Sequence, residues 1–377
     1  MKLKFTKEQE LLRSSVRTFA ASAVTAAVPA MEENDTFPRP LVDEMGRLGF
    51  MGIPIAKEYG GRGLTLTSYI LAIEELSRVS AAVGVILSVH TSVGTLPIVY
   101  HGTDEQKQTY LPKLASGQWL GAFALTEPHA GSDASTIRTA AVRDSDTYVL
   151  SGSKLFITNG GEADNYILFA AVQDGYTGNR GGITAFLVDK NTPGFRVGKK
   201  EKKMGLHGSN TCELILEEAI VPADRRLGQE GQGFAIAKSA LNGGRIGIGA
   251  QALGIARGAL ELAEQQATAM PQRQRSRAAS ELREMAAQVE AAALLVYRAA
   301  DMHERGIRCT KEASMAKMFA SDTAMSIATK TLQWCGAGGL ADELPAERFF
   351  RDAKVTQIYE GTNEIHRMVI SGELLRG

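Results

Sequence analysis

The sequence predicts an α+β multi-domain protein. An N-terminal all-α domain is expected over residues 1–117, a middle antiparallel β domain over 118–228 and a C-terminal four-helix bundle over 229–377. Three observations predict this. Apolar residues recur at helical spacing at both ends of the chain. Short β-rich runs separated by Gly, Asn and Asp fill the middle. A chain of 377 residues is too long for one hydrophobic core.

Leu11, Leu12, Val16 and Phe19 mark the face of a first helix, which Pro29 is expected to end. A second helix fits Pro40 to Leu48, and turn-rich LGFMGIPIAKEYGG follows. Helices over Thr67–Val79 and Ser80–Tyr100 come next. Thr103 and Gln106 have the capping-box pattern, opening a helix that stops before Gly117. No Asp, Glu, Lys or Arg occurs from Val79 to Thr103, long enough to cross a bilayer. The stretch holds His90, Thr91, Ser92, Gly94, Pro97 and His101, so a buried helix broken near Gly94 and Pro97 fits better. No membrane span is expected.

The middle runs are YVLSGSKLFITNG, NYILFAAVQ, GITAFLVDK, GFRVGKK and CELILEEAIV. No helix between them is long enough for a βαβ crossover, which argues against a Rossmann sheet. The last third reads as four long helices, Phe234–Ala267, Ala278–Arg305, Lys311–Trp334 and Phe349–Leu375, and a bundle is the economical way to bury them.

Lys plus Arg equals Asp plus Glu, 42 each, so no basic field draws the chain to nucleic acid. The three cysteines, Cys212, Cys309 and Cys335, make no CxxC pair and no disulfide framework. The N-terminus carries both signs of charge and lacks a secretory apolar run, so a cytoplasmic protein is expected. The six histidines form no metal motif. GIGAQA at Gly247–Ala252 has helical flanks and small neighbours, which indicates close helix packing rather than dinucleotide binding.

Three segments carry chemistry. AFALTEPHAGSD, Ala122–Asp133, breaks from an apolar strand end into a loop with Thr126, Ser132 and Asp133, groups suited to a polar ring or a phosphate. KLFITNGG, Lys154–Gly161, places Phe156 and Thr158 two apart, on one face of a strand. A ring could stack on one and accept a hydrogen bond from the other. VTQIYEGTNEIHR, Val355–Arg367, sets Glu360 beside Tyr359 and directly before Gly361, a carboxylate on a helix breaker between apolar stretches.

Together these segments resemble the acyl-CoA dehydrogenase family over nearly the whole chain, with closest likeness to the short-chain, butyryl-CoA-type branch. The first two match its flavin signatures, and FFRDAKVTQIYEGTNEIHR matches its C-terminal signature. The resemblance implies an FAD enzyme with an acyl-CoA substrate. Leu125 and Thr126 would contact the flavin ring, with Ser132 near the pyrophosphate. Phe156, where many relatives have Trp, would lie along the isoalloxazine and Thr158 would reach N5. Thr362 and Glu364 would sit by the nucleotide portion. Arg245 would lie near the acyl-CoA, beside Asn242, which stands where relatives often have Asp. Tyr359 and Gly361 would flank the substrate.

The resemblance makes Glu360 the catalytic base. Some branches carry the base on the Arg245 helix instead, but this chain has Gly244 there. Glu360 would take a proton from Cα while hydride leaves Cβ for the flavin, yielding the trans-2-enoyl-CoA. Reduced FAD would pass its electrons to an electron-transferring flavoprotein, and a homotetramer is expected. Two segments depart from the family pattern at inter-subunit FAD contacts. EQQATAMPQRQRSRAAS has no Phe, and no clear Arg at the aligned position, of an Arg-x-Gln-Phe-Gly-like segment. QWCGAGGLADE keeps Gln333 and Gly336 but not the aromatic after the glycines. The alternatives are a flavin oxidase or monooxygenase on the same fold, and a flavin-poor, non-catalytic assembly subunit.

Overall fold

A computed structural model describes residues 4–173, 180–341 and 344–376, apart from the side chains at 180, 181, 274 and 277. The chain opens with α1 (Lys7–Phe19), whose N-cap Thr6 and third residue Gln9 form a reciprocal capping box. A π-helical turn, Ala20–Val24, leads into α2 (Thr25–Asn34). Pro29 does not end the helix as expected but lies inside α2. The widened turn just ahead takes up the irregularity that a proline imposes, and Val24 and Met31 stay in the core.

Helices α3 (Arg39–Arg47) and α4 (Leu66–Ser77) follow. The uncharged stretch becomes α5 (Ala81–Ser88), a π-helical turn at Val89–Val93 and α6 (Leu96–His101), broken where Gly94 and Pro97 indicated. By length and composition Ala81–His101 could cross a membrane, but 94% of its apolar window is buried inside the protein. Gly94 lies against Gly121 so closely that a Cβ at either would come within 3.2 Å of the other's backbone. That contact seats the sheet on the helices. The expected capping box, Thr103 with Gln106, opens α7 (Asp104–Ala115).

The middle strands are β1 (Gly121–Ala124), β2 (Ala140–Asp144), β3 (Thr147–Thr158), β4 (Asn165–Gln173), β5 (Arg180–Asp189), β6 (Phe195–Lys200), β7 (Thr211–Pro222) and β8 (Arg226–Leu227). They form one sheet in the order β6-β7-β3-β2-β4-β5-β8, with β1 on β4. The sheet is mixed rather than purely antiparallel, because β1 and β2 both run parallel to β4. A parallel pair needs only a long connection, and strand β3 with its flanking loops supplies it in place of a helix. β4 is buried on both faces. Ile167 and Phe169 join the core shared with the helices, while Tyr166, Leu168 and Ala170 join a second cluster within the sheet.

The last third contains α8 (Gly233–Ala269), α9 (Gln272–Glu304) and α10 (Thr310–Leu340), the last interrupted at Gly336. The fourth bundle helix is two. α11 (Ala346–Thr356) and α12 (Asn363–Arg376) are separated by a turn in which Glu360 has φ 54° and Gly361 has φ 96°. The break falls on the segment with the unexplained carboxylate.

Candidate active site

The turn between α11 and α12 is built from both ends. Val355 O accepts the N–H groups of Ile358 and Tyr359, and Gln357 O accepts that of Asn363. The Tyr359 hydroxyl bonds to Gln251 Oε1 on α8, and Gln251 Nε2 donates to Ala81 O at 2.9 Å. These anchors hold Glu360 in the left-handed region, a conformation that costs a non-glycine residue free energy and tends to mark functional sites.

The carboxylate lies against α8. A Cβ added to Gly244 would stand 2.6 Å from Glu360 Oε2 and 2.8 Å from Oε1. Glycine at 244 is therefore what makes room for the acid. Oε2 is shielded from solvent and has no hydrogen-bond partner. Burial raises the Glu360 pKa to about 7, against the opposing pull of Arg245 and Lys317. A solvated loop acid would have neither property.

Arg245 is half-buried, and its Nη1 donates to Asn242 Oδ1 at 3.1 Å. Its buried Nε has no partner. Asn242 also borders a cleft of about 670 Å³, lined by Leu66, Tyr100, His303, Arg308 and Thr310 among others. That volume suits an extended small-molecule ligand. Farther along α8, Gly247 faces Ser88 of α5, and the Tyr69 hydroxyl donates to Ser88 O at 2.8 Å. The uncharged stretch thus supplies one wall near Glu360.

The two flavin-like segments are braced on one another. Leu125 and Thr126 follow β1, with Leu125 buried and Thr126 half-buried. Leu155 N donates to Thr126 O at 2.9 Å, and the buried Lys154 Nζ donates to Leu125 O at 3.1 Å. A β-bulge interrupts β3 between Lys154 and Ile157. There Phe156 takes φ 57° and leaves 61% of its surface exposed. Ile157 is buried between Phe156 and the half-buried Thr158, so the two share a face, as their spacing predicted, and that face turns away from the core. A large exposed aromatic held on a strained bulge beside two threonines fits a planar ring such as the flavin of FAD.

Ser132 is exposed on the loop before a 3-10 turn whose first cap is Asp133. Thr362 lies just before α12, with its Oγ1 accepting the Ile365 N–H, and Glu364 is exposed in the first turn. Gln333 and Gly336 are exposed on α10. Gln333 is sixteen residues beyond Lys317, roughly 24 Å along the helix axis. A single chain therefore does not bring Gln333 to the Glu360 turn.

Sequence reasoning missed four side chains around these sites. Lys154 and Glu127 form a buried ion pair at 2.7 Å beneath the flavin-like loop. Lys317 and His366 are both buried behind the Glu360 turn. The signal for Lys317 was present, a lysine on the apolar stripe Ala313, Ala316, Ala320 and Ala324.

Comparison with known proteins gives the architecture a family. The acyl-CoA dehydrogenase N-terminal, middle and C-terminal domain models match residues 6–118, 122–219 and 231–375. An acyl-CoA dehydrogenase of Bacillus subtilis is 57% identical, with 99% of each chain covered. Butyryl-CoA dehydrogenase from Megasphaera elsdenii superposes with a TM-score of 0.95 at 44% identity, covering all of both chains. A chain in a structure of the electron transferring flavoprotein of Acidaminococcus fermentans superposes with a TM-score of 0.96 at 46% identity, again over both whole chains. The chain belongs to the acyl-CoA dehydrogenase family and is an FAD-dependent oxidoreductase of acyl-CoA thioesters.

Proposed function

We propose that the protein converts a short-chain acyl-CoA to its trans-2-enoyl-CoA with Glu360 as the base. The observation that carries this is the half-buried Glu360, held on a left-handed turn with its Oε2 sealed from solvent and without a hydrogen-bond partner. In the ionised form it takes the proton from Cα and becomes a carboxylic acid, and the Cα electron pair forms the double bond as hydride leaves Cβ. Bound FAD supplies the two-electron acceptor for that hydride. The Glu360 backbone N–H donates to the thioester carbonyl and stabilises the developing enolate oxygen. Arg245, Asn242, Tyr359 and Gly361 line the acyl-CoA side.

Leu125, Thr126, Ser132, Phe156 and Thr158 hold the cofactor within one chain, with Thr362 and Glu364 at its nucleotide end. Gln333 and Gly336 serve the cofactor of a neighbouring subunit in a homotetramer. Domain boundaries at 117/118 and 228/229 separate three units that share one site. Resemblance to the Acidaminococcus chain supports an electron-transferring flavoprotein as acceptor. Three free cysteines fit a cytoplasmic protein. Short-chain preference is supported by the Megasphaera butyryl-CoA enzyme. The test is anaerobic bleaching of the flavin across straight and branched acyl-CoAs. Butyryl-CoA should bleach it fastest or nearly so; bleaching confined to long chains rules out the short-chain assignment.

A further inference from the structure

We infer that Lys317 is a positioning residue for the dehydrogenation: from behind the Glu360 turn its ammonium holds Gly361 in place and supplies the positive field in which the base works. The inference rests on Glu360 being that base.

Lys317 is fully buried on α10 among Ala313, Ala316, Ala320 and Ala324. A buried ammonium is costly unless its donors are used. Among the described residues no carboxylate reaches ion-pair distance of it. Its Nζ instead donates to Gly361 O at 2.7 Å and to Asn363 Oδ1 at 3.0 Å. Asn363 Nδ2 donates to Ser321 Oγ at 3.0 Å and to Asp322 Oδ1 at 2.8 Å. Gln357 Nε2 donates to the same Asp322 oxygen at 2.6 Å. One helix thus holds the turn at Gln357, Gly361 and Asn363, through Asp322, Lys317 and Ser321. The residue it fixes most directly is the glycine following the base.

The charges facing this point come from several elements. Glu360 lies in the turn, Arg245 on α8, Asp322 on α10 and Glu364 on α12, and all four act on Lys317. Burial holds Lys317 down to about 7, with Glu360 pulling it back up. The buried His366, packed 3.2 Å from where a Gly361 Cβ would be, is kept neutral by burial and by the same two cations. Tyr69 on α4 also senses Glu360. With His366 neutral, Lys317 and Arg245 are the cations that favour ionised Glu360.

The test uses FAD-loaded full-length protein with Lys317→Met, Lys317→Gln, Lys317→Arg and Glu360→Gln, read by anaerobic flavin bleaching with butyryl-CoA from pH 5.5 to 9.5. Removal of the cation should move the rising limb of the wild-type profile upward by roughly one pH unit or more. Lys317→Met should therefore be slower by about five- to tenfold near pH 7 and approach wild type near pH 9. Lys317→Arg should keep the wild-type inflection. Lys317→Gln retains a donor for Gly361 O without the charge, so it should fold where Met does not and show the same upward shift. A rate loss equal at every pH, or an unmoved inflection in the neutral variants, overturns the inference. Wild-type bleaching by Glu360→Gln overturns the assignment of the base itself, a result independent of the Lys317 profiles.

Discussion

Two buried lysines, each near a glutamate, lie under two parts of the site and are arranged in opposite ways. Beneath the flavin-like loop, Lys154 pairs directly with Glu127. The same carboxylate accepts the backbone N–H groups of Arg138 at 2.6 Å and Thr139 at 3.0 Å. Burial pushes Glu127 up, but Lys154 and those donors hold it below the usual carboxylate range. Behind the α11–α12 turn, Lys317 spends its hydrogen bonds on a backbone carbonyl and an amide, and Glu360 keeps an oxygen with no partner. Its pKa rises to about 7. A saturated carboxylate is scaffold. An unsaturated one with an oxygen shut away from solvent is a base ready to accept a proton.

The largest effect should come from Glu360→Gln, which removes the basic site while nearly preserving volume. Flavin bleaching by butyryl-CoA should fall by at least about 10²–10⁴-fold, measured by anaerobic rapid mixing. The same variant should show the opposite sign in stability. Because the folded carboxyl has a raised pKa, it favours folding while protonated, and that contribution is lost as pH rises from about 4.5 to about 7. Relative to Glu360→Gln, the wild type should lose roughly 1–3 kcal/mol over that window, read by denaturant unfolding at several pH values.

Lys154→Met should destabilise the protein by about 3–5 kcal/mol, because Glu127 is then left as a buried, unpaired charge. Adding Glu127→Gln should recover most of the loss. Equal losses for the single and double variants would break the contrast between the two lysines. The smallest expected effect concerns the cofactor. The 264–280 segment lacks the Phe and an Arg at the aligned position, and 333–343 lacks the aromatic, expected at a neighbouring subunit's FAD; residues 342 and 343 lie outside the described residues. FAD retention on dilution should be weaker than in the Megasphaera enzyme by about tenfold, the worth of one charged hydrogen bond. Stoichiometric FAD after extensive dilution would show that other groups fill that role.

Local signals made much of this legible. The Thr103–Gln106 capping box, the Gly94–Pro97 break and the three-part layout follow from spacing and from residues whose backbone preferences are strong. The shared face of Phe156 and Thr158 followed from the two-residue period of a strand, whereas the bulge that exposes Phe156 did not. What stayed hidden depends on residues distant in sequence. Glycine costs a helix interior only about 1 kcal/mol, so Gly361 alone does not decide whether 349–375 is one helix or two. The decision is made by Gln251, Lys317 and Asp322 pulling on the turn from α8 and α10. The parallel pairing of β1 and β2 with β4 is likewise a tertiary choice that strand patterns do not encode.

The core shared by helices and sheet runs from Leu12 to Ala353 in sequence. During synthesis it stays incomplete until α11 has left the ribosome, and the apolar helices α4 and α5 wait for α8, whose Gln251 meets Ala81 across 170 residues of chain. Contacts of such long reach fold slowly and leave sticky surfaces open in the meantime. Production of active protein should therefore respond to growth temperature and to chaperone supply. Truncation anywhere before α11 should yield aggregates rather than a smaller folded domain.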